Sequence, residues 1–463
     1  MIELKDIIVS RTGQKLFENF NLKIHPGENW IVQGDNGSGK TTLLQLIAGA
    51  LHPLSGHIHY SFIKGQDWDT FYNQRQEKIR FIPTHSLQTF LNGYEGLFYQ
   101  QRYYSMGDTH LPKVQDVFGE DIHKLKTFDF SASFNIRELL NLELTRLSNG
   151  QLKKVLIMSH LIKSTPNFLL LDYPFDGLDL ESRHDLSAFI DDVTKKFRIQ
   201  IIMVDHDHEL PSVINRRLVL HNFKIEKMED VKGHGTAMPF EKYEVENKMA
   251  QRKNNPPVVE MKNLTIQYSG KKIIENLNWR INQGERWALT GKNGSGKTTL
   301  FSLIYADHPM AYSQKVFLFG KRRGSGESIW DIKKKINYLG PEQIHFLNPK
   351  GITISGRQYI MALNHQVPER LNKLIDFFKT GTFIDNPVRF LSSGQLQIML
   401  LMNFFMRDKE LLLLDEPFQF LDPYNREKAT RYLNHYLDKD ATLVLITHNE
   451  NDVLAWTQLR KIL

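Results

Sequence analysis

The feature that most constrains this chain is that one ordered pattern occurs in it twice. Gly27-Glu-Asn-Trp30 stands seven residues ahead of Gly34, and Gly284-Glu-Arg-Trp287 stands seven ahead of Gly291. The run Gly34, Asp35, Asn36, Gly37, Ser38, Gly39, Lys40, Thr41 and Thr42 returns as Gly291, Lys292, Asn293, Gly294, Ser295, Gly296, Lys297, Thr298 and Thr299. Leu147-Ser-Asn-Gly-Gln151 returns as Leu391-Ser-Ser-Gly-Gln395, and Leu169-Leu-Leu-Asp172 as Leu412-Leu-Leu-Asp415. His206 returns as His448. From Ser148 to Asp172 is 24 residues and from Ser392 to Asp415 is 23; from Asp172 to His206 is 34 and from Asp415 to His448 is 33. Only the stretch from the Lys to the Ser motif differs, 108 against 95, which puts an insertion of about 13 residues in the middle of the first copy. A repeat of this period predicts two copies of one domain rather than a single large core.

The chain has 463 residues, 41% hydrophobic and 24% charged, an ordinary globular composition. We read a first domain at 1–230, a linker at 231–257 rich in Gly, Pro and Asn, and a second domain at 258–463. Apolar runs such as Phe168–Leu171 and Leu411–Leu414 fall far short of the roughly 18 residues that a membrane span requires. The opening Met1-Ile-Glu-Leu-Lys-Asp6 mixes charges where a secretory leader needs an apolar stretch. Absence of cysteine excludes disulfides, zinc-thiolate sites and thiol nucleophiles. Together these give an expectation of a cytoplasmic protein that meets membranes only through a partner. The net charge of +7 is a mild surplus over this length and does not by itself point to nucleic acid.

Gly-x-x-x-x-Gly-Lys-Thr is a phosphate-binding loop: its glycines let successive N–H groups turn inward, and the helix that follows adds its positive end. Lys40 and Lys297 would reach β- and γ-phosphates, and the hydroxyls of Thr41 and Thr298 would hold Mg²⁺. Apolar strands (Trp30-Ile-Val32; Trp287-Ala-Leu289) are expected before each loop, and helices after it. The Leu-rich runs read as parallel strands buried on both faces. Asp172 and Asp415 would then stand at the C-terminal tips, where α/β sheets bind ligands, as further Mg²⁺ partners.

With the Leu-Ser-x-Gly-Gln pentads, each copy resembles an ATP-binding cassette over nearly its whole length. The resemblance implies an α/β fold of two tandem P-loop NTPase domains, each a RecA-like core with an antiparallel β subdomain and a helical subdomain. It implies ATP and Mg²⁺ as ligands, and a head-to-tail sandwich in which Ser148, Gly150 and Gln151 complete the second P-loop while Ser392, Gly394 and Gln395 complete the first. In the second copy it implies that Glu416 polarises the attacking water, that Lys297 and His448 contact the γ-phosphate, and that Tyr268 stacks on adenine. His206 would be the first copy's counterpart of His448, whereas Thr12, at the position matching Tyr268, cannot stack.

The first copy reads Asp172-Tyr173-Pro174 where the second reads Asp415-Glu416-Pro417. A phenol with a pKa near 10 does not replace a carboxylate as the group that orients and deprotonates water. Asp176 and Glu181 are the nearby carboxylates that could substitute, but neither occupies the strand tip. We therefore expect one hydrolytic site and one degenerate site. The family's Gln after the next strand is missing in register from Phe81-Ile-Pro-Thr84 and Tyr338-Leu-Gly-Pro341, although Gln88 and Gln343 are near. The insertion carries Tyr94, Phe98, Tyr99, Tyr103 and Tyr104, which read as one packed helix face.

The stretch Leu318 to Lys334, with Arg322, Arg323 and Trp330, resembles the twin-cassette family labelled molybdate-transport ATP-binding or photorepair protein. That resemblance implies a separate integral membrane permease as partner, molybdate as cargo and a position on the inner face of the membrane. The second reading is a soluble twin-cassette ATPase acting on ribosomes or nucleic acid, or with a regulatory role. The short, broken linker and the missing first Glu count against it.

Overall fold

The structure is a computed structural model. It describes residues 1–11, 14–64, 67–84, 86, 90, 112–125, 134–144, 147–205, 210–231, 255–268, 271–291, 294–341, 343, 351–364, 368–438, 440–447 and 459–462. The aromatic insertion, Gln88 and most of the 231–257 segment lie outside these residues. The chain divides into two units, Met1–Pro239 and Phe240–Leu463.

In the first unit, β1 (Ile2–Arg11), β2 (Gln14–Ile24) and β4 (Ser55–Tyr60) form an antiparallel sheet in the order β2-β1-β4. A second sheet has the order β5-β6-β7-β3-β8-β9, built from β3 (Trp30–Gly34), β5 (Ile79–Ile82), β6 (Phe168–Asp172), β7 (Gln200–Val204), β8 (Arg216–His221) and β9 (Lys224–Asp230). It is parallel except for β9, which pairs antiparallel with β8. The helices that matter here are α1 (Lys40–Ala48), α2 (Trp68–Lys78), α3 (Asn149–Lys163) and α4 (Leu180–Phe197).

The second unit repeats this plan. Strands β10 (Pro257–Tyr268), β11 (Lys271–Asn282), β13 (Lys315–Leu318) and β14 (Lys321–Arg322) form one sheet, β11-β10-β13-β14. Strands β12 (Arg286–Thr290), β15 (Ile336–Leu339), β16 (Leu411–Asp415), β17 (Thr442–Ile446) and β18 (Leu459–Ile462) form a parallel sheet, β15-β16-β17-β12-β18. Its helices include α5 (Lys297–Ile304), α6 (Ile329–Lys335), α7 (Ser393–Phe405) and α8 (Pro423–His435). Among the described residues no helix is long and apolar enough to cross a membrane.

Strands β6 and β16 are buried at every position, as runs of leucine between two layers must be. Alternate side chains serve alternate layers. Phe168 and Leu170 pack with Leu43, Leu44 and Ile47 of α1, while Leu169 and Leu171 pack with Val155 of α3 and Phe189 of α4. The same split recurs with Leu411 and Leu413 against Leu412 and Leu414. Each such side chain contributes roughly 1.5–3 kcal/mol by leaving water. A strand so constrained holds its terminal carboxylate in one place.

Arg323, unexplained by the sequence pattern, braces the end of the second antiparallel sheet. Its N–H donates to Val316 O (2.9 Å), and its guanidinium lies 5.0 Å from the Tyr312 ring centroid, donates to the Tyr312 hydroxyl (3.2 Å) and pairs with Glu327 (3.5 Å). The Arg323 side chain is fully buried and that of Glu327 is 10% exposed. The basic run 333–335 ends α6 as a solvated helix end, with Lys334 and Lys335 exposed; Lys333 is half-buried, pairs with Asp307 and lies 4.5 Å from the Tyr305 ring, and Lys335 pairs with Glu410. Truncating one partner of a buried pair strands the other, so Arg323→Ala should destabilise the second unit by about 3–5 kcal/mol. Exposed Arg322→Ala should stay within about 0.5 kcal/mol, with urea unfolding as the measurement.

Candidate functional site

In both units the parallel order places the strand ending in Asp two strands from the one that feeds the glycine loop, so both tips open on the same edge of the sheet. The loop's shape depends on glycine. Gly34 has φ +134°, and a Cβ there would stand 2.0 Å from Leu220 O; Gly39 has φ +102°, and its Cβ would stand 2.7 Å from Phe223 and 2.9 Å from Phe17. Only a residue without a side chain keeps the backbone curled at both points.

Lys40 and Lys297 are buried at the first positions of α1 and α5. Lys40 Nζ donates to the carbonyls of Gly34 and Asp35 (both 2.7 Å), and Lys297 Nζ to that of Gly291 (2.8 Å). The hydroxyls of Ser38 and Ser295, at matching positions, are buried and have no hydrogen-bond partner among the described residues. An unmade hydrogen bond at a buried group costs about 1–3 kcal/mol. A buried ammonium, an orphaned hydroxyl and a helix N-terminus within one curl fit a polyphosphate, which supplies the missing acceptors. Thr42 and Thr299 follow within the first turn, half-buried and buried respectively.

Thr41 Oγ1 donates to both oxygens of Asp172 (3.0 and 3.1 Å), and Thr298 Oγ1 to Asp415 Oδ2 (3.2 Å). A hydroxyl beside a buried carboxylate is an all-oxygen donor set, the kind Mg²⁺ takes together with phosphate oxygens. The first unit has a third member that the sequence pattern did not reveal. Thr84 Oγ1 donates to Asp172 Oδ2 at 2.8 Å, whereas the matching residue of the second unit is Pro341. Burial pushes the Asp172 carboxyl above its ordinary value, and the Thr84 and Thr41 hydrogen bonds and the Lys40 charge pull it part of the way back.

The next residue separates the two units chemically but not geometrically. Tyr173 has φ +51° and Glu416 φ +49°, and their N–H groups donate to Val204 O (2.8 Å) and Ile446 O (3.1 Å). The Tyr173 ring is buried, with Lys40 Nζ 6.0 Å from its centroid. Of the other carboxylates, Glu181 is exposed in the first turn of α4, and Asp176 stands on the loop itself, half-buried, beside Lys153 and Asp205.

The Leu-Ser-x-Gly-Gln pentads are helix starts. Ser148 caps α3 by accepting the N–H of Gln151 (3.2 Å) while Gln151 Oε1 accepts that of Ser148 (2.9 Å). Ser392 and Gln395 repeat the exchange at 3.3 and 3.0 Å on α7. This reciprocal cap explains why Ser and Gln stand three apart. Each serine uses a lone pair and keeps its own proton to donate. Gly150 and Gly394 are buried in the first turns. His206, His448, Lys292, Asn293 and Thr12 lie outside the described residues, as does the Tyr268 side chain; Tyr268 itself ends β10. Gln343 Nε2 donates back to Tyr338 O (3.0 Å).

A family model described as ABC transporter matches residues 17–176 and again 274–419. The chain belongs to the ABC transporter family. It is a tandem ATP-binding-cassette ATPase, each unit carrying one cassette. Among similar proteins, an uncharacterized ABC transporter ATP-binding protein of Schizosaccharomyces pombe is 29% identical, covering 96% of this chain and 94% of its own length. The ABC transporter ATP-binding protein ModF of Escherichia coli is also 29% identical, covering 94% of this chain and 91% of its own. Among solved structures, a complex of archaeal ribosomal stalk protein aP1 with the ribosome recycling factor aABCE1 covers 99% of this chain and 87% of that one, with a TM-score of 0.54 at 18% identity. A structure titled RNase-L Inhibitor gives 0.53 at 19%. At that identity these two share the fold.

Thr84→Val should raise the Asp172 carboxyl further, since it removes a hydrogen bond that lowers it. A carboxyl whose folded value lies above its unfolded one loses stability as pH rises through the folded value. In chelator, therefore, the variant should match wild type in acid and fall behind it by about 1.5–3 kcal/mol in alkali, read by urea unfolding across pH.

Proposed function

We propose that this protein hydrolyses ATP at the second P-loop and holds ATP with slow turnover at the first, the cassettes (1–230 and 258–463, joined by 231–257) closing head to tail around both nucleotides. The observation that carries this reading is the pair Tyr173 and Glu416: one backbone geometry, with a phenol in one unit and a carboxylate in the other. Glu416 orients and deprotonates the attacking water, Lys297 holds the β- and γ-phosphates, and His448 contacts the γ-phosphate. Thr298 and Asp415 hold Mg²⁺, which when bound neutralises charge on the phosphate oxygens. Ser148 and Gly150, at the N-terminus of α3, present donors to the anion on the second P-loop. The corresponding set at the first P-loop is Lys40, Thr41, Asp172, Ser392 and Gly394, without a base.

Losing a general base costs about 10²- to 10⁴-fold in rate, so Glu416→Gln should lower turnover by that factor while Tyr173→Phe leaves it near wild type. Equal residual activities would overturn the assignment.

The ATPase cycle would drive transport through a separate integral membrane permease, with the protein peripheral on the cytoplasmic face. The full-length likeness to ModF, an ABC transporter ATP-binding protein, supports this, and the resemblance of the 318–334 stretch adds molybdate as cargo. Gentle detergent extraction of the Glu416→Gln protein with ATP should bring an integral membrane protein with it. Ribosomal subunits or nucleic acid in its place would overturn the transport reading and leave the ATPase assignment intact.

A further inference from the structure

Behind the first site the loop that follows the strand tip is gripped by charged side chains. Lys153, one turn into α3, donates its ammonium to the carbonyls of Pro174 and Asp176, both at 2.6 Å. Between these two residues, the N–H of Phe175 donates to Asp205 Oδ2 (3.2 Å), and Asp205 is buried at the end of β7. Three successive backbone groups are thus held from two directions. Asp176 adds its own carboxylate, whose Oδ2 is shut off from solvent. Arg183 also faces the cluster and donates to Leu178 O (2.9 Å). Burial brings the Lys153 ammonium down to about 8. Burial and the neighbouring Asp205 push the Asp176 carboxyl up to about 7.

The second unit serves as an internal control. Gln397, five residues after Ser392 as Lys153 is after Ser148, donates its amide to the matching carbonyl, Pro417 O, at 2.6 Å. Gln419 stands for Asp176 and Thr447 for Asp205. The contact from helix to loop therefore belongs to the fold, and the charges at these three positions belong to the first unit. Hydrogen bonds from charged groups are roughly twice as strong as neutral ones.

We propose that Lys153, Asp176 and Asp205 form a nucleotide-retention lock, positioning residues that fix the Tyr173 loop and slow the release of nucleotide from the first P-loop. The lock rests on the reading that this P-loop binds ATP. The loop begins at Asp172, which holds Thr41, and at Tyr173, which lies under Lys40. Nucleotide leaves through local opening of such segments, and a loop tied at three backbone groups opens less often.

The test uses the full chain carrying Lys297→Ala, so that only the first P-loop binds, with a fluorescent mant-ATP and Mg²⁺ in stopped flow. Replacing the trio with the second unit's residues (Lys153→Gln, Asp176→Gln, Asp205→Thr) should speed release by about tenfold with association unchanged. The converse graft (Gln397→Lys, Gln419→Asp, Thr447→Asp) in a Lys40→Ala, Glu416→Gln chain should slow release from the second P-loop, and it decides the matter if the first triple variant does not fold. Release within about twofold of the parent chain overturns the lock and leaves the nucleotide reading standing, whereas a parent that binds no mant-ATP overturns that reading and the lock with it.

Discussion

The hydrogen bond between a P-loop threonine and a strand-tip aspartate organises each half of this protein. It joins residues 131 apart in the first unit and 117 apart in the second, and it ties the start of the helix after the glycine loop to the end of a strand buried at every position. A carboxylate in that position is held out of water, so it must be answered by hydroxyls, by a nearby ammonium or by a bound cation. The apolar layers on either side of β6 and β16 leave the aspartate no other place to go. The requirement that the tip, the loop and the helix start all face one edge of the sheet follows from this single contact and from the parallel strand order.

Much of this was legible in the sequence because it is local. The glycines of the loop, the leucine runs and the Ser-x-x-Gln spacing of the helix caps each declare their conformation within a few residues, and the duplication states each of them twice. What stayed hidden depends on contacts between distant segments. Thr84 looks like an ordinary residue after Pro83, and nothing nearby announces that it meets Asp172, 88 residues away. Lys153 reads as one more cation on a helix, yet the fold buries it against a loop more than 20 residues downstream. Arg323 stands in a recognisable stretch whose chemistry emerges only once Tyr312 and Glu327 close over it.

The two halves also show what the fold demands apart from what the chemistry demands. A non-glycine residue at φ near +50° carries local strain of order 1–3 kcal/mol. Were that strain kept only to aim a catalytic carboxylate, a unit lacking the carboxylate would have no reason to retain it. Tyr173 retains it, along with the hydrogen bond from its N–H to the neighbouring strand. The bend is therefore a property of the junction at the end of β6 and β16, held in both units by an N–H bond to the neighbouring strand. It is available to whichever side chain stands there.

From this it follows that activity can be lost at one site without disturbing the scaffold that the other site needs. The side chain at the bend changes from carboxylate to phenol while the backbone around it keeps its path. The caps at Ser148 and Ser392 form with the same partners, and the helix-to-loop contact persists whether a lysine or a glutamine makes it. A duplicated cassette can exchange the side chain at this bend because the hydrogen bond that ties the bend to the neighbouring strand is made by the backbone, which both units keep.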